Sequence, residues 1–172
     1  MGKKNLTTPY KGPSKFYFKK IIDTIISEGN LTSKKLRILD YGCGLKFLQK
    51  RLKKKIFNYD IDQNLTEIND WSINRYDVVI FNHVLMYMTK NEFLKILKKI
   101  KKKNKKCKII IGIGKEGILN RILAYLVLRF DHLNFTKMNY KEQIKLINSN
   151  LKIIKNKNIY FLTEIYFCEF CL

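Results

Sequence analysis

The residues of this chain best suited to chemistry are two acids and two glycines. Asp40-Tyr41-Gly42-Cys43-Gly44 closes the apolar run 36–39, and Asp60 stands 20 residues further on, at the end of a second short apolar run. A buried strand that ends in an acid and turns through two glycines lets the backbone come close to a small ligand. An acid at that later spacing is placed to accept hydrogen bonds from ribose hydroxyls. A pyrophosphate-binding turn would need a third glycine at position 47, which is Phe47. The turn therefore suits a nucleoside ligand that lacks phosphates. His83, Tyr87 and His132 are the polar groups available for proton transfer, and histidine titrates in the useful range. Plainer roles fit the same residues: strand-end caps for Asp40 and Asp60, a turn residue for His83, an exposed loop residue for His132.

These residues need strands and helices to hold them, and the apolar periodicity supplies both. Ser14 is placed to cap a helix over 15–27 with Phe18, Ile21, Ile22, Ile25 and Ile26 on one face, ended by Gly29. Strands are expected at 36–40, 56–60, 76–81 and 108–113. A helix over 45–54 with Phe47, Leu48 and Leu52 inward joins the first two. The segment 61–75 is polar and short for a further helix and strand. Thr89 and Glu92 form a capping box that opens a helix with Phe93, Leu94, Leu97 and Ile100 on one side. An apolar helix follows over 118–128, then one over 140–147 capped by Asn139. Two β-type runs, 151–161 and 164–170, finish the chain. Alternating strands and helices predict an α/β fold: a Rossmann-like, doubly wound, mostly parallel sheet with an antiparallel C-terminal edge pair and no regular third strand.

Composition narrows the class. The chain has 172 residues, 46% of them hydrophobic, which fits one globular domain. Its formal charge of +21 comes from 30 lysines but only five arginines. Lysine is the poorer fork for phosphates, so most of this charge reads as solvated surface; RNA or an anionic membrane is the alternative. The four cysteines lack a disulfide framework, and Cys168-Glu169-Phe170-Cys171 has no second ligand pair, so no metal is expected. The start of the chain has no signal-like apolar stretch, and Leu6 stands where a myristoylation site needs Ser or Thr. The apolar window 118–130 is too short to span a bilayer. The expectation is a cytoplasmic protein, with peripheral membrane contact as a variant.

The order of motifs resembles the class I S-adenosylmethionine-dependent methyltransferases. Ile38–Gly44 looks like that family's first motif, Asn58–Asp62 its second, and Tyr76–Met88 its fourth strand and following turn. The resemblance implies S-adenosylmethionine as cofactor. It places Gly42 and Gly44 against the methionine part, Asp40 near the ammonium, Asp60 on the ribose and Asn82 at the edge of the cofactor site. Asp62, Asn64 and Asp70 are the candidates for reading adenine, and His83, His132 and Tyr87 the candidates for a general base. Lys46 stands where the family often has another glycine. Residues 1–35 become an arm and helix that cover the cofactor site, and 36–172 the methyltransferase domain. The implied activity is methyl transfer to a small-molecule, lipid or glycan-precursor acceptor. The alternatives are an RNA methyltransferase using the lysine-rich surface and a non-catalytic methyltransferase-like binding module.

Overall fold

The computed structural model describes residues 13–115 and 136–171. Six strands form one sheet: β1 (Ile38–Tyr41), β2 (Phe57–Tyr59), β3 (Val78–Asn82), β4 (Lys108–Gly114), β5 (Leu151–Ile159) and β6 (Thr163–Phe170). Their spatial order is β2-β1-β3-β4-β6-β5. The first four are parallel, and β6 runs antiparallel to both β4 and β5. This is the expected mostly parallel sheet with an antiparallel C-terminal pair.

Helices α1 (Pro13–Glu28), α2 (Phe47–Leu52), α3 (Lys90–Lys103) and α4 (Tyr140–Asn150) accompany the sheet. The continuous apolar run of β3 serves two layers, because side chains alternate across a strand. Val78 and Ile80 join Ile21 and Ile25 of α1, whereas Val79 and Phe81 join Phe93 and Leu97 of α3. Capping boxes open both α3 and α4, at Thr89 with Glu92 and at Asn139 with Glu142. The helix expected over 118–128 lies outside the described residues. Among those described, no helix is long and apolar enough to cross a membrane.

Two local readings need correction. Gly29 does sit at the end of α1, but the left-handed residue is Asn30, at φ 53°. The Leu31 amide reaches Ile26 O, closing the helix in a Schellman pattern. Gly29 is required for another reason: an added Cβ would lie 2.8 Å from Ile110 Cδ1 on β4. Second, α2 begins at Phe47 instead of position 45, because Cys43–Lys46 form a turn in which Lys46 is left-handed. That start turns Phe47 outward, 36% exposed, while Leu48 is buried. The 61–75 segment, as expected, holds no regular third strand and forms a short 3-10 turn at Trp71–Ile73. The Glu67 amide donates to Asn58 O beside β2, and Trp71 packs against Tyr41 and Tyr59. A bulky indole and a stub of extended chain thus stand where a helix and third strand had no room.

Candidate functional site

The parallel strands β1, β2 and β3 all end at one edge of the sheet, and the predicted residues gather in the loops there. Gly42 has φ 79°, and its amide and that of Cys43 both donate to Tyr59 O at the end of β2. The two glycines do different work. An added Cβ at Gly42 would lie 2.4 Å from Val84 Cγ2, so this glycine lets the turn pack on the loop after β3. Gly44, at φ 48°, would have nothing within 4 Å of its Cβ. Its backbone opens onto free space, as a ligand-facing turn must.

Asp60 braces this turn. Its Oδ2 accepts the Gly44 amide at 2.9 Å and its Oδ1 accepts the Asp62 amide at 3.0 Å. Asp40 is different: it is only 5% exposed, and among the described residues its carboxylate has no hydrogen bond or ion pair. Burial, with the nearby Asp60 charge adding to it, pushes its pKa up to about 7. Cys43 is buried in the same turn and its thiol is pushed up to about 12, chiefly by burial, so it is no nucleophile.

Lys46 adopts the left-handed conformation (φ 58°) that a glycine at its position would take freely. Its Nζ lies 2.9 Å from Glu67 Oε1, which draws the side chain to the β2 edge. Glu67 in turn accepts from Asn58 Nδ2 at 2.6 Å, and Gln49 Oε1 accepts a second bond from the same amide group. Sequence alone offered no sign of this bracket, since Glu67 looked like any loop acid.

Asn82 ends β3. Its Oδ1 is buried without a hydrogen-bond partner among the described residues, and Gly112 is what leaves room for it: an added Cβ there would be 2.6 Å from that oxygen. His83 follows at φ 56°. Its Nε2 lies 3.1 Å from Thr163 Oγ1, and Thr163 also bonds the Tyr17 hydroxyl of α1. Burial lowers the imidazole pKa to about 4, so the ring is neutral near neutral pH. Tyr87 lies in the 3-10 turn Leu85–Tyr87, and burial raises its hydroxyl pKa. His132 lies outside the described residues. The three adenine candidates separate poorly: Asp62 accepts from Asn64, and Asp70 caps the Trp71 turn through the Ser72 amide.

A second polar cluster sits on the opposite face of the same edge. Glu164 accepts hydrogen bonds from Tyr166 and from Tyr140, the latter at 2.8 Å, and pairs with Lys115 Nζ at 2.9 Å. Burial pushes its pKa up, but these donors outweigh burial and hold it below the usual carboxylate range. An acid inside an otherwise apolar strand was the sequence signal for this cluster. Tyr17 and Thr163 gave none, because their contact joins the two ends of the chain.

Sheet order and glycine turn together define the fold of the S-adenosylmethionine-dependent methyltransferases. Solved structures with this fold include magnesium protoporphyrin IX methyltransferase from Synechocystis PCC 6803 with bound S-adenosylmethionine. It shares 12% identity at a TM-score of 0.60, over 92% of this chain and 82% of that one. A SAM-dependent methyltransferase from Archaeoglobus fulgidus matches at 9% identity and TM-score 0.57, over 88% of this chain and 93% of that one. The 16S rRNA methylase ArmA matches at 16% and 0.53, over 93% and 87%. At such identities the likeness is one of fold. No protein-family model and no curated protein sequence matches the chain.

Proposed function

We propose that this chain is an S-adenosylmethionine-dependent methyltransferase, with its donor site at the 40–44 turn. The observation that carries the reading is the buried, unpaired Asp40 carboxylate beside the open backbone of Gly44. A buried carboxylate without a partner is unfavourable unless a cation arrives. The ammonium of the methionine part is such a cation, and its approach favours the charged carboxylate.

The other residues fit the same ligand. Asp60 already accepts two amides and has lone pairs left for ribose hydroxyls. The orphaned Asn82 Oδ1 offers an acceptor at the end of β3. Lys46, held by Glu67, is kept from meeting the ligand's positive sulfur. S-adenosylmethionine supplies an already activated methyl carbon, so the protein's task is mainly to align the acceptor with it. His83, neutral and tied to Thr163, is suited to orienting an acceptor; Tyr87 and His132 are the further candidates from the sequence. Residues 1–35 read as a cover, supported by Tyr17 and Phe18 of α1 reaching Thr163 and His83. The acceptor class remains the one expected from sequence: a small molecule, lipid or glycan precursor.

Calorimetric titration tests the reading. S-adenosylhomocysteine binds with one-to-one stoichiometry, and Asp60→Ala weakens it by about ten-fold or more, as loss of charge-assisted bonds to two hydroxyls requires. Absence of binding by both S-adenosylmethionine and S-adenosylhomocysteine overturns it.

A further inference from the structure

The lysines are not spread evenly over the sheet. Lys34, Lys35 and Arg37 precede β1, and 53–55 before β2 are three lysines in a row. Arg75 precedes β3. The end of α3 and the turn after it, 101–106, bring five more lysines to the start of β4. Each of these segments enters a parallel strand, so topology collects them on one edge of the sheet, opposite the 40–44 turn. Among the described residues, no lysine in these segments makes a salt bridge. At the other edge the pattern reverses. Lys46, Lys115 and Lys137 are each paired with an acid, Glu67, Glu164 and Glu92.

We propose that this lysine edge, without salt bridges among the described residues although Lys54, Lys101 and Lys103 donate to backbone carbonyls, is a docking surface for the phosphate backbone of a nucleic acid. The lysine-bearing segments border four adjacent strands, β2-β1-β3-β4, about 14 Å at the usual inter-strand spacing, which matches roughly four base pairs of duplex. Such a row releases counterions when it meets regularly spaced phosphates. A membrane fits less well. Surface-bound proteins bury apolar side chains beside their cations, and here the exposed apolar residues are mostly elsewhere. Ile61 (88% exposed), Phe161 (85%) and Tyr160 lie at the edge of the glycine turn, and among the described residues Ile73 is the exposed large apolar side chain beside the rim lysines. The rim is about 13 Å from that turn, the length of the four-residue strand β1 that joins them. Nucleic acid held there is an anchoring partner, and the inference does not depend on what the donor site accepts.

The test is fluorescence anisotropy of the whole protein with labelled single-stranded RNA and duplex DNA, between about 50 and 200 mM KCl. A variant with Lys34, Lys35, Lys105 and Lys106 changed to Gln is compared with one changed at Lys19, Lys20, Lys141 and Lys145, exposed lysines of α1 and α4. The expected result is salt-dependent binding of either nucleic acid. The rim variant binds about ten-fold more weakly or worse, with a shallower log–log salt slope, and the control variant binds like the parent. Calorimetry with S-adenosylhomocysteine in both variants separates this result from any change at the donor site. Equal weakening in the two variants overturns the proposal. So does failure to bind either nucleic acid at the lowest salt, or rim-dependent binding only to phosphatidylserine vesicles.

Discussion

The two edges of the sheet are built on opposite terms. Where β1 and β3 end, the backbone is left-handed at Gly42, Gly44, Lys46 and His83, Asn82 holds a buried oxygen without a partner, and the buried Asp40 has no hydrogen bond among the described residues. Where the strands begin, local bonds are closed. Asp77 accepts the Arg37 amide, Asn104 donates to Tyr76 O, and the Asn104 side-chain oxygen accepts the Lys106 amide. The first edge carries strain and unmet polarity, the usual marks of a ligand site. The second edge carries charge on a frame of closed local bonds, with Lys53, at φ 52° after α2, as a left-handed residue of its own. Stability should therefore respond strongly to substitution at the first edge and weakly at the second, and each prediction below presses on that difference.

Asp40 offers the largest effect. Its pKa of about 7 in the fold lies above its ordinary value of 3.8. The folded state therefore holds a proton that the unfolded chain has released, between about pH 4 and 7. Stability from this group is complete below about pH 4, falls as pH rises through that window, and stays lost above about pH 7. Asp40→Asn keeps the shape and removes the charge. In the free protein at about pH 8 it should raise unfolding free energy by on the order of 2–4 kcal/mol, and by much less at about pH 5. Donor affinity should move the other way and collapse in the same variant. Urea unfolding at the two pH values, with a titration at the higher one, checks both. A variant that is destabilised at high pH, or binds the donor normally, breaks the contrast between the edges at its strongest point.

The glycine pair divides the first edge more finely. Gly42→Ala meets Val84 at 2.4 Å and keeps an unfavourable φ of 79°, so it should cost about 2–3 kcal/mol. Gly44→Ala meets no atom within 4 Å and bears only the left-handed penalty, about 1 kcal/mol. Donor binding should reverse the ranking relative to stability, since the new methyl at Gly44 stands in the open space and the one at Gly42 does not. Thermal unfolding with and without S-adenosylhomocysteine separates the two. Equal loss of ligand stabilisation in both variants would remove the assignment of Gly44 to the ligand side.

What the sequence disclosed follows the same division. The acid–glycine turn, Asp60 and the end of β3 were legible because each is a local pattern with its own spacing. The antiparallel pair of β5 and β6 was legible from two β-type runs with a short break. Phe47 was misplaced because the helix phase depends on Lys46 taking a left-handed turn, which lysine composition does not announce. Lys46 stands where the resembled family often has another glycine, and only the fold shows that Glu67 holds its side chain. The chain Tyr17–Thr163–His83 was hidden for a simpler reason: it joins residues 146 apart, and only the folded sheet brings α1 across to β6.

The smallest effect belongs to the lysine edge and is as informative as the largest. Lys105 and Lys106 are exposed, and their side chains make no salt bridge among the described residues. Replacing both with Gln removes no packed atom and leaves the Lys106 amide free to bond Asn104 as before. Surface changes of this kind fall within about 0.5 kcal/mol. The sign should be favourable, because a chain of formal charge +21 repels itself. Added salt should then stabilise the parent slightly more than the variant, as screening relieves repulsion that the variant has already lost. Thermal unfolding of both proteins at low and high salt measures this directly. A loss well beyond 0.5 kcal/mol would mean that these lysines hold the fold together, and the edge could no longer be read as charge set on a frame that does not need it.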